Sequence, residues 1–452
     1  MKRVHALSVA AVALLLGASP AFAQVGICGG VGKTTPVIKP VIFPGLQFDR
    51  SNPGFDCQMW QAFVYLNWPA QAGQRGVPNP NAKFGAAGTT VWETYKTVEQ
   101  TFLPNAANPG PWNQFPLMAV LGKGLAQQVA SGTVRNLTRE SKVSRKVLST
   151  LVRARATVSS TILDSIDQAS GGVLYDLNGK PVYYEVSLNE DQYNYTVQNG
   201  LYNATTQATF GASNVIALPA GATSYGPTGA IETKAAWKIL TPAEASSGRF
   251  HTMKALVPGV TQPVTVGLVG FHIFQTLAGL SQGAWATFYQ VDNAPVLGNF
   301  GKGPYNFFKV ACWPPTCQIV IPYNVPNANP GQVVQIDPDD SAAVNVNKYM
   351  QGQIKSYSAS APWQYYALHN VQWPLNPVDI TKLPVPVKPN LPDGNPNTQT
   401  MVNAVLETFV QTKGMGCLFC HVGAPTANGT YASSYSFTFS NAATPPGPQP
   451  QQ

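Results

Sequence analysis

The chain has 452 residues and a formal net charge of +8; only 11% of side chains are charged and 44% are hydrophobic, with 40 Gly and 39 Pro. That is enough apolar material for a substantial core in a turn-rich, β-leaning chain of two or three domains. It argues against a membrane protein, since no stretch after residue 23 is long and apolar enough to span a bilayer.

At the start, Lys2 and Arg3 precede an apolar run from Ala6 to Leu16, and Ala21-Phe22-Ala23 stands before Gln24. This is the pattern of a secretory signal peptide over residues 1–23, cleaved near Ala23. The apolar run is too short for a stable anchor, and no Cys follows the cut to take a lipid. The expectation is a periplasmic or secreted protein. Gln24 to Pro53 reads as an extended arm. Cys28, Cys57, Cys312 and Cys317 are an even set in a compartment where disulfides persist. Three pairings are open; the short loops favour Cys28–Cys57 and Cys312–Cys317, the second around Pro314 and Pro315. Four unpaired thiols are the alternative.

Phe55 to Trp68 is apolar and aromatic, as in a buried helix. Residues 69–115 are loop-rich, with Trp92 to Phe102 the best ordered part. Residues 124–170 read as helical. Within them, the stretch 131–155 holds Arg135, Arg139, Lys142, Arg145, Lys146, Arg153 and Arg155 against a single acid, Glu140. Val143, Val147, Leu148, Leu151 and Val152 recur there at helical spacing. The segment 131–155 reads as an amphipathic helix with a basic face, either merely solvated or a dock for an acidic redox partner. It lacks the interleaved aromatics of a nucleic-acid site.

From Gly171 the pattern turns to strands. Val173–Leu177 and Val182–Leu188 flank Asn178-Gly179, a hairpin signal. Ile231–Leu240, Phe250–Val257, Val264–Thr276 and Trp285–Val291 are rich in β-branched and aromatic residues. The fold class expected is α+β and β-rich: a large antiparallel sheet or sandwich over 24–373, an N-terminal helical part, and a small C-terminal helical segment. Gly279-Leu-Ser-Gln-Gly283 fits a nucleophile pattern, but strands on both sides argue for a hairpin instead. Gly29 to Thr34 lacks the first glycine of a phosphate loop. Asp337, Asp339 and Asp340 suit a solvated turn better than Ca²⁺.

Pro374–Pro396 reads as a linker (374–397), followed by a segment at 398–443 and a disordered tail at 444–452. Thr398–Lys413 is expected to be a helix, with Val402, Val405, Leu406, Phe409 and Val410 on one face. Gly414 and Gly416 stop it before Cys417-Leu-Phe-Cys420-His421. C-x-x-C-H is the attachment signature of a c-type haem: two thiols for thioether bonds, and an adjoining imidazole as proximal iron ligand. A zinc site needs further Cys or His, and none follows His421. A redox dithiol needs a βαβ context, which is missing here. No Met follows either, so a distal ligand must come from upstream or the position stays open. His272 is the tentative distal choice, because alternation puts it on one face with Val264, Val266, Leu268 and Phe274. The competing reading is a hydrogen-bonded core histidine. His251, Met253 and His369 are further candidates; Met415 lies too close to Cys417 to reach the opposite haem face.

Gly416 to His421 resembles the haem motif of c-type cytochromes. Ile231–Leu240, Gly267–Thr276, Trp285–Pro295 and Asn370–Pro374 are similar to exported bacterial proteins classed broadly as cytochrome c family. The resemblance implies one covalent haem c at Cys417, Cys420 and His421 and names no substrate. Residues 131–155 and those before Phe55 fall outside it. The expected function is an exported monohaem cytochrome passing single electrons to a redox partner protein. The alternative is a peroxidase- or oxygenase-like haem enzyme with a substrate pocket in the β-rich domain.

Overall fold

The computed structural model describes residues 26–29, 35–114, 123–130, 133–137, 173–310, 332–408, 411 and 414–446. The expected signal peptide (1–23), Cys312 and Cys317, most of 131–155 and the chain end beyond 446 lie outside the described residues.

The apolar run near residue 60 forms helix α1, Asn52–Leu66. Ser51 caps it by accepting from the Gly54 N–H at 3.2 Å, and Pro53 stands in its first turn. Residues on every side of α1 are buried, so it is a central helix rather than a surface one. Cys57 on α1 is bonded to Cys28, with Cα atoms 5.7 Å apart, which ties the N-terminal arm to this core.

Short elements follow: β1 Lys96–Thr97, α2 Val98–Thr101, α3 Lys123–Ala130 and β2 Val134–Asn136. The helix expected over 124–170 is therefore only α3 in its described part. Arg135 gives the reason for the strand. Its guanidinium is drawn into the core by Glu185, 3.0 Å from Nε, and does not belong to an exposed basic face.

Then come β3 Tyr183–Leu188, α4 Glu190–Gln198, α5 Ala204–Ser213, β4 Ile231–Ile239, α6 Pro242–Ser246, β5 Thr252–Leu256, β6 Val264–Leu277, β7 Leu280–Gln290, α7 Ser341–Tyr357 and β8 Tyr366–Gln372. The hairpin before β3 forms where Asn178-Gly179 places it. Gly179 has φ +69°, and Asp176 Oδ1 accepts from the N–H groups of Asn178 and Lys180 at 2.9 Å each.

The fold is α+β and β-rich, built on one curled sheet. β6 is its spine. One edge of β6 pairs with β4, which continues to β3 and β1. The other edge pairs first with β5 and then with β7, which continues to β8. These pairs are antiparallel; β2 alone among the described strands runs parallel, beside β5.

A bulge in β6 decides which residues face which way. Trp237 stands opposite Leu268 and Ala236 opposite Gly270, so Val269 is an extra residue. The alternation is thereby reset. Val266 and Leu268 join Phe271 and Ile273 in the core that contains α1. His272 is on the opposite face with Phe274, not with Val264, Val266 and Leu268 as simple alternation predicts.

On the α1 side the sheet meets an aromatic core. Phe63 stacks on Phe288 at 4.4 Å, and Trp60 meets Phe288 edge-on at 5.1 Å. The Trp60 indole N–H donates to Asn347 Oδ1 at 2.9 Å, and that amide also exchanges two hydrogen bonds with Leu368 of β8. The opposite face is covered by the C-terminal segment from residue 401.

Candidate functional site

On that opposite face β6 and β7 present Phe274 and Trp285, whose rings stack at 4.1 Å. β8 contributes Gln372. The short helix α8, Cys417–His421, begins against it: the Leu418 N–H donates to Gln372 Oε1 at 2.8 Å. A Cβ at Gly416 would stand 2.2 Å from Gln372 Nε2, so a larger residue there would have to displace the Gln372 amide that anchors α8. Cys417, Cys420 and His421 occupy positions i, i+3 and i+4 and share one face of the helix. Both thiols are half-buried against a cluster that includes Leu418, Val422, Met401 and Tyr435. Phe419 between them is 38% exposed, so this turn of chain reaches the surface.

His421 is held on three sides. Its Nδ1 lies 2.6 Å from the carbonyl oxygen of Tyr435. A carbonyl only accepts, so Nδ1 carries the proton and Nε2 keeps its lone pair. Trp285 lies 4.4 Å from the imidazole and Phe437 lies 4.9 Å from it, which restricts ring rotation. The donor set suits an iron ligand at Nε2 and thioether bonds at both sulfurs. Donation from Nδ1 to an acceptor is the arrangement that orients a ligating histidine and raises its basicity.

The carbonyl is aimed by the turn Ser433–Ser436, closed by the Ser436 N–H to Ser433 oxygen bond at 3.0 Å. Its central residues, Ser434 and Tyr435, have φ of +54° and +65°. Two successive positive values are the pattern of a type I′ turn, which glycine and asparagine ordinarily fill. Here each side chain costs on the order of 1–3 kcal/mol of strain. The surroundings hold the turn. Ser434 Oγ accepts from the Leu218 N–H at 2.9 Å, and Ser433 Oγ lies 2.9 Å from the Ala424 oxygen. The Tyr435 hydroxyl donates to the Pro392 oxygen, and Ser436 Oγ donates to Glu232 of β4. Burial pushes the Glu232 carboxyl above its usual range, against hydrogen bonds from Ser436, Gln192 and Thr438.

The distal candidates are dispersed. His272 is half-buried on the same face as the motif, two residues from Phe274, with Nε2 3.3 Å from Glu407 Oε2. His251 lies in the α1-side core, its Nε2 2.7 Å from Glu93 Oε1 and its ring stacked on Trp363 at 4.6 Å. Met253 shares that core. His369 Nδ1 is 2.9 Å from Asp339 Oδ1. Met401 packs in the cluster around α8, and its N–H donates to the Met415 oxygen at 2.9 Å.

The helix expected over 398–413 is not formed at residues 401–408, which make turns. Gln335 explains this. Its amide donates to the Val402 oxygen at 2.6 Å and accepts from the Ala404 N–H at 2.8 Å, taking backbone groups that a helix would pair internally. Phe409, Val410 and Lys413 lie outside the described residues. The proline-laden stretch is a brace as well as a connection. Leu391 N–H donates to the Val422 oxygen at 3.0 Å, and Gln282 Oε1 accepts from Val378 N–H at 2.9 Å. Ser281, the serine of the nucleophile-like pattern, lies in β7 and donates to the Val378 oxygen. Asp339 engages His369 and Tyr289, and Asp340 caps α7, so these two acids serve the fold.

No family model, curated protein or solved structure matches this chain. The site therefore rests on its own geometry. Sequence reasoning singles out Cys417, Cys420 and His421. It missed Trp285, Tyr435 and Glu232, whose side chains carry no motif. Met401 was one methionine among several until packing placed it beside α8.

Proposed function

We propose that the protein is an exported monohaem c-type cytochrome that carries single electrons, with haem c attached at Cys417 and Cys420 and His421 as proximal ligand. The observation that carries this reading is the Cys417-x-x-Cys420-His421 run on one face of α8, with His421 Nδ1 2.6 Å from the Tyr435 oxygen, a contact that orients a ligating imidazole. When bound, the haem supplies a one-electron site that a donor protein reduces and an acceptor protein reoxidises.

The chain's own residues do the rest. Gln372 anchors the start of α8, Trp285 and Phe437 confine the imidazole, and the Tyr435 carbonyl holds the Nδ1 proton. The exposed Phe419 brings the attachment turn to the surface, where a partner protein can approach. The Cys28–Cys57 disulfide is compatible with an oxidising compartment such as the periplasm. Among the described residues no helix is long and apolar enough to cross a membrane. His272 lies on the motif's side of the sheet and remains the proposed distal residue.

The test is expression in a host that matures c-type cytochromes. The expected product is coloured, and its mass exceeds that of the polypeptide by one haem. A six-coordinate low-spin spectrum indifferent to CO supports electron transfer. A high-spin haem that binds CO or turns over peroxide moves the assignment to a haem enzyme. A colourless product at the bare polypeptide mass removes the haem reading. His272→Ala should change the spectrum; an unchanged one excludes His272 as ligand.

A further inference from the structure

The turn that aims the Tyr435 carbonyl has an anchor on the sheet. Glu232 Oε1 accepts from Ser436 Oγ, from Gln192 Nε2 and from Thr438 Oγ1, the last at 3.3 Å. Ser436 and Thr438 flank Phe437, which packs on His421, and Ser436 follows Tyr435 directly. One carboxylate oxygen thus gathers the two hydroxyls on either side of the elements that confine the imidazole. Ser434 and Tyr435 stand in a strained backbone region, and such a conformation persists only where its surroundings fix it. Among the described residues Glu232 is the one acidic hydrogen-bond partner of this turn, and its Oε1 is the acceptor for both hydroxyls. The two hydroxyls also lie 2.6 Å from each other, so Glu232, Ser436 and Thr438 form one hydrogen-bonded group beside the turn.

We infer that Glu232 is a positioning residue: acting through Ser436 and the 433–436 turn, it fixes the Tyr435 carbonyl on His421 and so holds the imidazole proton on Nδ1. The tautomer is a property of the chain itself. Its consequence for a bound iron rests on the haem reading above. With Nδ1–H donated to a firmly held carbonyl, Nε2 is a stronger donor and favours the ferric state. Loosening the carbonyl favours the ferrous state and raises the midpoint potential.

Two readouts test this in the full-length chain. In protein made without haem maturation, imidazole ¹⁵N shifts report which His421 nitrogen carries the proton. Glu232→Ala and Ser436→Ala should each move the tautomer ratio toward Nε2–H by on the order of tenfold. Glu232→Gln, which keeps an acceptor oxygen, should stay close to the parent. Arg135→Met, which disturbs the α1-side core instead, should leave the ratio unchanged. In matured protein, where iron would occupy Nε2, the same series should raise the midpoint potential in the same order. If Glu232→Ala does not fold, Ser436→Ala decides.

An unchanged tautomer in Ser436→Ala, or an equal change in Arg135→Met, overturns the role of Glu232. A colourless parent after maturation overturns only the haem reading, and the ¹⁵N comparison still decides the positioning role.

Discussion

The indole of Trp285 lies 4.4 Å from the imidazole of His421, centroid to centroid, at an interplanar angle of 53°. The same indole stacks on Phe274, and its N–H donates to the Gln282 oxygen at 2.9 Å. One β7 side chain thus joins the sheet to the Cys-x-x-Cys-His turn. Trp285→Ala should destabilise the protein by about 3–5 kcal/mol through lost contacts and the cavity left behind. Trp285→Phe keeps a ring and should cost less, about 1–2 kcal/mol, chiefly from the unpaired Gln282 carbonyl. Urea unfolding of both variants measures this. An alanine variant as stable as the phenylalanine one would show that the indole does not anchor the motif.

Arg135 and Glu185 form a buried ion pair in which Nε and Nη2 both reach the carboxylate. The Trp237 indole adds a third donor to Glu185 at 2.7 Å. Burial works against the Arg135 charge, yet Glu185 and Glu93 hold it above its ordinary value. Arg135→Met strands a carboxylate in the core and should cost about 3–5 kcal/mol. Adding Glu185→Gln, which keeps an oxygen for Trp237, should recover much of that loss. Urea unfolding of both singles and the double gives the coupling directly. Simple additivity would mean the two charges do not depend on each other.

The difference between what the sequence discloses and what it hides is physical. α1 and the strands from β3 to β7 were legible because their signals are local: apolar runs, β-branched stretches and the Asn178-Gly179 turn. The Cys417–His421 run stands out in the sequence because its residue types and spacing are those that haem attachment would need. The helix expected at 398–413 has the right period, but Gln335, more than 60 positions upstream, takes its backbone. His272 was assigned to the wrong face because one extra residue, Val269, resets the alternation, and a bulge has no signature in a single strand. Arg135 read as part of a basic face because Glu185, its partner, is 50 residues away. Each miss is a tertiary contact overriding a local preference.

The Cys28–Cys57 bond closes a loop of 29 residues and attaches the arm to the central helix. Loop-closure entropy alone assigns it about 3.5 kcal/mol. The double variant Cys28→Ser, Cys57→Ser should therefore melt well below the parent, and reductant should lower the parent toward it while leaving the variant unchanged. Thermal unfolding with and without reductant checks both arms. A parent that ignores reductant under unfolding conditions would show that the bond does not limit stability.

Asp56 gives the chain a pH dependence of definite sign. It sits on α1, 1% exposed, and its Oδ2 has no hydrogen-bond partner among the described residues. Burial raises its carboxyl well above the ordinary value, and the charges of Asp340 and Asp339 raise it further. The folded value thus lies above the unfolded one, near 4. The folded state holds the proton longer, so the stability associated with it is complete below the unfolded value. It is lost as pH rises toward the folded value, by up to about 1.4 kcal/mol per pH unit. Asp56→Asn removes the titration while keeping the shape. The variant should gain on the parent as pH rises above 5, as read from urea midpoints between pH 5 and pH 8. Glu93 contributes in the opposite direction: burial raises it, but His251, Arg135 and Thr90 outweigh that and hold it low. Its share is lost only as pH falls through its depressed folded value, below the range compared. A gap between Asp56→Asn and parent that stays constant from pH 5 to pH 8 would show that Asp56 is not held protonated by the fold.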